Sequence, residues 1–337
     1  MDAESGVDAK ILITGSSGFI GRRLRNALVE SGTQCRLLVR NVRPMSDASV
    51  GDLLEPDSLV SACSGVESVF HCAGYAHAFA SSDPDAHWRI NFEGTRNLVE
   101  AAGRAGTRRF VFLSSVKAMA EPGDACADED WPGEPETPYG RAKRAAEECV
   151  QETGSRYGMH VVNLRLAMVY GHGGRGNLER MARGIAAGWF PPLPETANRR
   201  SLVHVSDVVD AIRLVAVKTV AKGKTYIVAD SQAYSGREIY DAICIALRKP
   251  IPNRRISANM LRLAGRIGDM AGTLTRKSPL PLNAEVVARL LDSSCYSPAR
   301  IERELGWRSR VSLHTGIKEM LAPDVESPPA FRSVNLN

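Results

Sequence analysis

The chain reads Ile11-Leu12-Ile13-Thr14-Gly15-Ser16-Ser17-Gly18-Phe19-Ile20-Gly21 near its amino-terminal end, an apolar run followed by three glycines spaced three residues apart. This order predicts a buried strand, a tight turn and a helix that continues to about residue 31. Gly15 permits the turn, Gly18 allows a phosphate to approach the backbone, and Gly21 allows close packing of helix and strand. Because helix N-termini bind anions, the stretch predicts a dinucleotide-binding unit, with a simple strand–helix turn as the alternative.

Composition limits the class of protein. The chain has 337 residues, of which 44% are hydrophobic, enough for one large domain or two closely joined ones. The net charge of +5 is modest and the basic residues are spread along the chain, so we expect no binding to nucleic acid. Residues 256–274 have the pattern of an amphipathic helix interrupted by charged residues, and no membrane span is expected.

The cysteines have no CxxC pair and no metal-ligand spacing, and we expect all of them to be free thiols. The seven are Cys35, Cys63, Cys72, Cys126, Cys149, Cys244 and Cys295. The first residues lack the pattern of a signal peptide, and residues 1–8 and 322–337 are expected to be disordered. These features predict a cytoplasmic protein. His71 and His77 lack further ligands at suitable spacing, so no metal site is expected.

The predicted second strand, residues 35–39, bears on the choice of cofactor. It is followed by Arg40 and has no acidic residue at its end. An acidic residue there binds the ribose hydroxyls of NAD, whereas an arginine can bind the 2′-phosphate of NADP. Arg40 therefore favours NADP, with an ordinary surface arginine as the alternative. Asp52-Leu53 follow a short loop where a carboxylate can meet the adenine amino group.

Two further strand ends are predicted to border the cofactor. The third strand, residues 68–72, leads into Ala73-Gly74-Tyr75, whose small residues allow a cofactor to pass close to the backbone. The fourth strand, residues 109–113, leads into Ser114-Ser115 at the sheet edge where ligands bind in open α/β folds. An acidic, proline-rich loop over residues 121–136 follows and is a candidate lid.

The next helix carries the predicted chemistry. Thr137 is a good N-cap and Pro138 suits the first helical position, so Tyr139 and Lys143 project from one helix face. A nearby ammonium favours the phenolate, so we expect the pKa of Tyr139 to be lowered by Lys143. Ser115 then holds the reacting oxygen while Tyr139 transfers its proton. An exposed Tyr and Lys on an ordinary helix is the alternative.

These motifs together resemble the extended short-chain dehydrogenase/reductases, and within them the NAD(P)-dependent epimerase/dehydratase group that acts on nucleotide sugars. The similarity covers roughly residues 10–320 and includes Asn91 with Gly94-Thr95 and Arg165 with Val169-Tyr170-Gly171. It implies a doubly wound parallel sheet of the Rossmann type, NAD or NADP as cofactor, and a possible homodimer. The predicted cofactor-binding residues are Gly15, Ser17, Gly18, Phe19, Ile20, Gly21, Arg40, Asp52, Leu53, Ala73, Gly74, Tyr75, Asn91, Ser114, Tyr139 and Lys143.

The resemblance also implies a smaller, discontinuous C-terminal substrate domain. Residues 9–171, with 201–230, are expected to form the NAD(P)-binding domain, and residues 172–200 and 231–321 the substrate domain. Asn177 and Arg200 match positions that contact the substrate diphosphate, for which a guanidinium is well suited. Ser115 and Lys117 are the other predicted substrate contacts. For Arg200 and Lys117, a solvated surface cation is the alternative.

The expected reaction is hydride transfer at C4 of a nucleotide sugar, with UDP as the expected nucleotide. Arg40 and the stretch from Trp189 to Leu202, which resembles members linked to bacterial surface polysaccharides, favour a 4-ketoreductase of a 4-keto or 4-keto-6-deoxy sugar. A UDP-hexose or UDP-N-acetylhexosamine 4-epimerase with bound NAD is the alternative. A dehydratase is disfavoured because Val116-Lys117 follow Ser115, where dehydratases carry acidic residues. A non-catalytic NADP-sensing protein is a remote alternative, since such proteins usually lose the tyrosine or the lysine.

Overall fold

The computed structural model describes residues 11–41, 47–75, 83, 85–174, 176–252, 256–275 and 283–323. Residues 1–8 and 324–337 of the predicted disordered termini lie outside the described residues, as does His77. The described chain forms two compact units. The first takes its residues from 1–169, 197–234 and 292–310, and the second from 170–196, 235–291 and 311–337.

Strands and helices alternate through the first half of the chain. The strands are β1 (Ile11–Thr14), β2 (Cys35–Val39), β3 (Ala48–Val50), β4 (Ser68–His71), β5 (Arg109–Ser115), β6 (Cys126–Ala127), β7 (His160–Leu166), β8 (Met168–Tyr170), β9 (Leu202–His204), β10 (Lys224–Val228) and β11 (Cys295–Tyr296). The helices are α1 (Phe19–Glu30), α2 (Pro56–Cys63), α3 (Gly94–Arg104), α4 (Pro138–Tyr157), α5 (Asn177–Ala186), α6 (Val205–Val217), α7 (Gly236–Ala246), α8 (Ala258–Thr275), α9 (Ala284–Leu291), α10 (Ala299–Leu305) and α11 (Leu313–Met320). A π-helical segment (Trp88–Glu93) precedes α3, and short 3₁₀ turns span Val116–Ala118 and Thr219–Ala221.

The first unit is built on a seven-stranded parallel sheet. Its spatial order is β10-β7-β5-β4-β1-β2-β3, so the chain moves outward from β1 in one direction and returns at β4 to move outward in the other. This reversal beside β1 is the switch point at which doubly wound sheets bind ligands. The predicted doubly wound parallel sheet is confirmed.

Both faces of the sheet are buried, which explains the near-continuous apolar strands. Alternate side chains enter opposite layers, so Ile13 and Val111 join one core cluster while Leu12 and Phe110 join the other. Helices α1 and α6 contribute to the first cluster, and α2, α3 and α4 contribute to the second.

The acidic loop after β5 is anchored to the rest of the first unit. Its strand β6 pairs in parallel with β11, and a disulfide joins Cys126 to Cys295 within that pair. The expectation that all seven cysteines are free is therefore wrong for these two, whereas the other five are free. A carboxylate oxygen of Glu129 also accepts a bond from the main-chain N–H of Ile227 at 2.8 Å. These contacts argue against the predicted lid.

The second unit is helical. Within it, α7 packs on α11 and α5, and α8 packs on α9. The buried Arg237 links α7 to residues 170–196 of the same unit, because its side chain donates a hydrogen bond to the carbonyl of Leu193 at 3.1 Å. Residues 292–310 group with the first unit, although the predicted substrate domain included them, because β11 pairs with β6 and α10 packs on β10. None of the helices in the described parts of the chain is long and apolar enough to cross a membrane.

Candidate active site

The glycine turn between β1 and α1 forms a cradle with no room for side chains. Gly15 has φ of +66°, and a Cβ there would lie 2.7 Å from the Cα of Ala73. A Cβ on Gly21 would lie 2.2 Å from the Gly15 carbonyl oxygen. Helix α1 begins at Phe19 with Gly18 as N-cap, and no side chain caps its first N–H groups. This open helix start fits a bound pyrophosphate, which needs close backbone approach and N–H donors.

The loop after β4 is held beside this turn by Asn91. The Asn91 side chain is buried, accepts a bond from the main-chain N–H of Tyr75 at 2.7 Å and donates to the Tyr75 carbonyl at 2.9 Å. A Cβ on Gly74 would lie 3.2 Å from the Asn91 amide oxygen and 3.5 Å from Lys143 Nζ. Asn91 lies in the π-helical segment, a form of helix that is frequent at functional sites. The structure thus brings together four of the predicted cofactor-binding residues.

A buried hydrogen-bond chain that the sequence analysis did not anticipate joins the ends of β1 and β4. His71 Nδ1 lies 2.7 Å from Thr14 Oγ1, and its Nε2 lies 2.9 Å from Thr95 Oγ1. Burial lowers the pKa of His71 to about 3, so the ring is neutral at physiological pH. Thr14 Oγ1 also accepts a bond from the N–H of Ala73 at 3.1 Å. This chain fixes the backbone that lines the glycine turn.

Ser115 and Tyr139 meet because α4 starts close to the end of β5. Thr137 caps α4 by accepting a bond from the N–H of Gly140 at 3.0 Å, as predicted. A Cβ on Gly140 would lie 2.2 Å from the carbonyl oxygen of Lys117, so only glycine allows this approach. The Ser115 hydroxyl is close enough to Tyr139 to lower the pKa of its phenol, and it accepts a hydrogen bond from the Lys117 N–H at 3.2 Å.

The pKa shift of Tyr139 differs from the expectation. Burial raises the pKa of Tyr139, and only the neighbouring Ser115 hydroxyl opposes that rise. The prediction that Lys143 lowers the pKa of Tyr139 is therefore wrong. The reason is that Lys143 is itself buried and its Nζ donates to the carbonyl of Leu113 at 2.8 Å. Burial lowers the pKa of Lys143 to about 8, which keeps its amine mostly protonated at neutral pH.

Glu147 is a site residue that the sequence analysis missed. It lies one turn beyond Lys143 on α4, is 3% exposed, and accepts a bond from Ser114 Oγ at 2.5 Å. Arg165 of β7 binds the same carboxylate, with Nη2 2.7 Å from Oε2. One signal in the sequence could have identified Glu147. It is a charged residue on the otherwise apolar face of α4, which contains Ala142, Ala146 and Val150.

The remaining predicted cofactor residues lie at the carboxyl edge of the sheet. Ser17, Phe19 and Ile20 belong to the glycine turn and the first turn of α1. Arg40 directly follows β2 and is exposed. A carboxylate oxygen of Asp52 accepts the N–H of Leu54 at 2.9 Å, and the carbonyl of Leu53 accepts a bond from Asn97.

The predicted substrate contacts fall in both units. Lys117 pairs with Glu121 in the first unit, and Arg200 Nη1 donates to the carbonyl of Asp292 at 2.8 Å. The backbone of Arg200 also pairs with that of Tyr234. Asn177 is the exposed first residue of α5 in the second unit.

Comparison with known proteins agrees with this geometry. Residues 11–229, more than half of the chain, match the NAD dependent epimerase/dehydratase family. The protein belongs to this family. It is a family of enzymes, and the predicted resemblance is confirmed.

Three similar proteins illustrate the range of chemistry in this epimerase/dehydratase family. A UDP-glucose 4-epimerase of Vibrio cholerae is 28% identical over 92% of this chain and 93% of its own length. A 2-alkyl-3-oxoalkanoate reductase of Stenotrophomonas maltophilia strain K279a is 26% identical over 93% of this chain and 98% of its own. The structure of MoeE5 in complex with UDP-glucuronic acid and NAD has a TM-score of 0.72 at 25% identity and covers 92% of this chain and 97% of its own.

Proposed function

We propose that the protein is an NAD(P)-dependent oxidoreductase that acts at C4 of a nucleotide sugar, with UDP as the expected nucleotide. The observation that carries this proposal is the placement of Ser115, at the end of β5, beside Tyr139 in the first turn of α4, with Lys143 one turn further along the helix. The similarity to a UDP-glucose 4-epimerase over 92% of the chain supports the sugar nucleotide.

Three residues of the chain have separate roles in the proposed reaction. When bound, the nicotinamide supplies or accepts a hydride. Tyr139 donates or accepts the proton at the sugar hydroxyl oxygen, and the Ser115 hydroxyl orients that oxygen by a hydrogen bond. The high pKa of free Tyr139 suits proton donation to a ketone, since the phenol stays protonated at neutral pH. The Lys143 ammonium contributes positive charge and a ribose contact.

We favour a 4-ketoreductase that acts on a 4-keto or 4-keto-6-deoxy sugar with NADPH. Support comes from the exposed Arg40 directly after β2, at the position where NAD-specific folds carry an acidic residue. A 4-epimerase that retains NAD is the second candidate, because UDP-glucose 4-epimerase is among the similar proteins. In either reaction, Asn177 and Arg200 are proposed to bind the substrate diphosphate.

One measurement separates the two candidates. The purified protein is denatured, any released nucleotide is identified, and NADH and NADPH are titrated into the emptied protein. An empty site that prefers NADPH supports the reductase, and a panel of UDP- and dTDP-4-keto sugars is then tested for turnover. Retained NAD⁺ indicates an internal redox cycle and hence an epimerase. Failure to bind either dinucleotide would contradict both candidates.

The assembly and the location are also proposals. We propose a homodimer, by analogy with the family, and a cytoplasmic location, where NAD(P) and nucleotide sugars are abundant. Sedimentation at several concentrations tests the first, and cell fractionation tests the second.

A further inference from the structure

Helix α8 of the second unit presents a row of exposed apolar side chains. Met260, Leu263, Ile267 and Met270 are exposed to 62, 58, 57 and 65% of their surfaces. With about 100° between successive residues of a helix, the four fall within a sector of about 80°. Each of the other helices in the described parts of the chain exposes at most one large hydrophobic side chain. An apolar row of this kind indicates an interaction surface.

The row is separate from the face by which α8 packs in its own unit. Leu261 is 3% exposed, and Gly265 lies against α9, where a Cβ would be 3.0 Å from a methyl carbon of Val287. Those residues lie on a different sector of the helix from Met260 and Ile267. The apolar row therefore remains exposed after α8 has buried its packing face.

Basic residues are concentrated in the stretch of sequence that contains this row. The sequence from 248 to 277 contains Arg248, Lys249, Arg254, Arg255, Arg262, Arg266, Arg276 and Lys277, with Asp269 as its single acidic residue. Its net charge of +7, from eight basic residues and one acidic residue, exceeds the +5 of the whole chain. The even spread expected from composition is thus wrong for this segment. Among the described residues, Arg262 and Arg266 are exposed and occupy the sector next to the apolar row.

We propose that α8 binds the surface of a membrane that is rich in anionic lipids. The apolar row would enter the boundary between headgroups and acyl chains, while Arg262 and Arg266 contact lipid phosphates. This arrangement of an apolar sector beside a basic one is typical of helices that lie in the membrane interface. A second copy of the chain is a less suitable binding partner for α8, because the contact would bring together two segments that each carry a charge of +7.

Vesicle flotation of the full-length protein tests the proposal. The vesicles contain phosphatidylcholine alone or with about one third phosphatidylglycerol, and the bound fraction is measured at low salt and at about 0.5 M NaCl. We expect binding to the anionic vesicles that weakens in high salt. The double variant Leu263→Gln/Ile267→Gln should bind at least about tenfold more weakly. Arg262→Gln/Arg266→Gln should lose binding mainly at low salt.

The control is Val217→Gln, which changes an apolar side chain on α6 that is 67% exposed but stands alone on its helix. This variant should bind as the unmodified protein does. Thermal melting followed by circular dichroism checks that each variant is folded, and the single variant Met260→Gln replaces any that is not. No binding to anionic vesicles, or unchanged binding of the folded Leu263→Gln/Ile267→Gln variant, would overturn the proposal. So would an oligomer that this double variant abolishes, because the row would then belong to a second copy.

Discussion

Glu147 and Arg165 form a buried ion pair in which both side chains are at most 6% exposed, with Oε2 and Nη2 2.7 Å apart. The same carboxylate accepts the hydroxyl hydrogen of Ser114 and lies one helical turn beyond Lys143. The pair therefore connects the end of β5, helix α4 and β7 at the point where the proposed catalytic residues meet. Because its negative charge raises the pKa of Lys143, Glu147 also influences the charge of the site.

Glu147→Gln is predicted to shift the pH dependence of turnover. Burial already lowers the pKa of Lys143 to about 8, and removal of the carboxylate lowers it further. Activity that needs the ammonium form is lost as pH rises through that pKa, so the alkaline limb of kcat should move to lower pH. Breaking a buried pair costs about 3–5 kcal/mol, so melting curves accompany the profiles.

The control for that experiment is Glu148→Gln, because Glu148 is exposed on the same helix and pairs with Arg144. Its pH profile should match that of the unmodified protein. A Glu147→Gln variant that loses stability but keeps the original alkaline limb would mean that the pair is purely structural.

Tyr139→Phe should lower kcat by about a hundredfold or more, since the proton donor is lost. Binding of the dinucleotide should be retained, because the glycine cradle and Lys143 are unchanged. Dinucleotide binding is measured by fluorescence, and turnover is measured with the sugar that the panel identifies. Tyr157→Phe changes an exposed tyrosine at the other end of α4 and should leave kcat unaltered. Equal turnover in both variants would refute the assigned role of Tyr139.

Gly15→Ala and Gly32→Ala form a matched pair, because both positions have positive φ. No other atom lies within 4 Å of a Cβ on Gly32, so that change should cost only about 1–2 kcal/mol of backbone strain. A Cβ on Gly15 would meet the backbone of Ala73 at 2.7 Å, which should cost a further 1–3 kcal/mol or so and abolish dinucleotide binding. Urea unfolding and NAD(P)H fluorescence measure the two effects. Unimpaired dinucleotide binding by Gly15→Ala would contradict the assignment of the cradle.

Thiol titration of the denatured protein should find five free thiols per chain without reductant and seven after reduction. Cys295→Ser should destabilise the folded protein by about 3–5 kcal/mol, because the Cys126–Cys295 bond closes a long loop in the unfolded chain. Reductant should destabilise the unmodified protein and leave Cys295→Ser unchanged. Cys244→Ser, at a buried free cysteine, serves as the comparison. Seven reactive thiols without reductant would show that the bond is absent in solution.

Local patterns in the sequence determined the parts of the fold that depend on neighbouring residues. The spacing of apolar residues and glycines predicted a strand, a turn and a helix at the start of the chain. The structure confirms this order with β1, the glycine turn and α1. Thr137 and Pro138 predicted the start of α4, and the spacing of Tyr139 and Lys143 placed both on one face of it. Such features follow from helical and strand periodicity, which acts over a few residues.

Only the tertiary structure decided the features that depend on residues far apart in the chain. Cys126 and Cys295 are separated by 169 positions, so their spacing carried no sign of a bond. The pairing of Glu147 with Arg165 likewise arises where α4 crosses β7. The sign of the pKa shift of Tyr139 was decided by burial, because desolvation raises the pKa while the Lys143 ammonium is directed at the Leu113 carbonyl. Burial is a property of the assembled fold, and no local pattern specifies it.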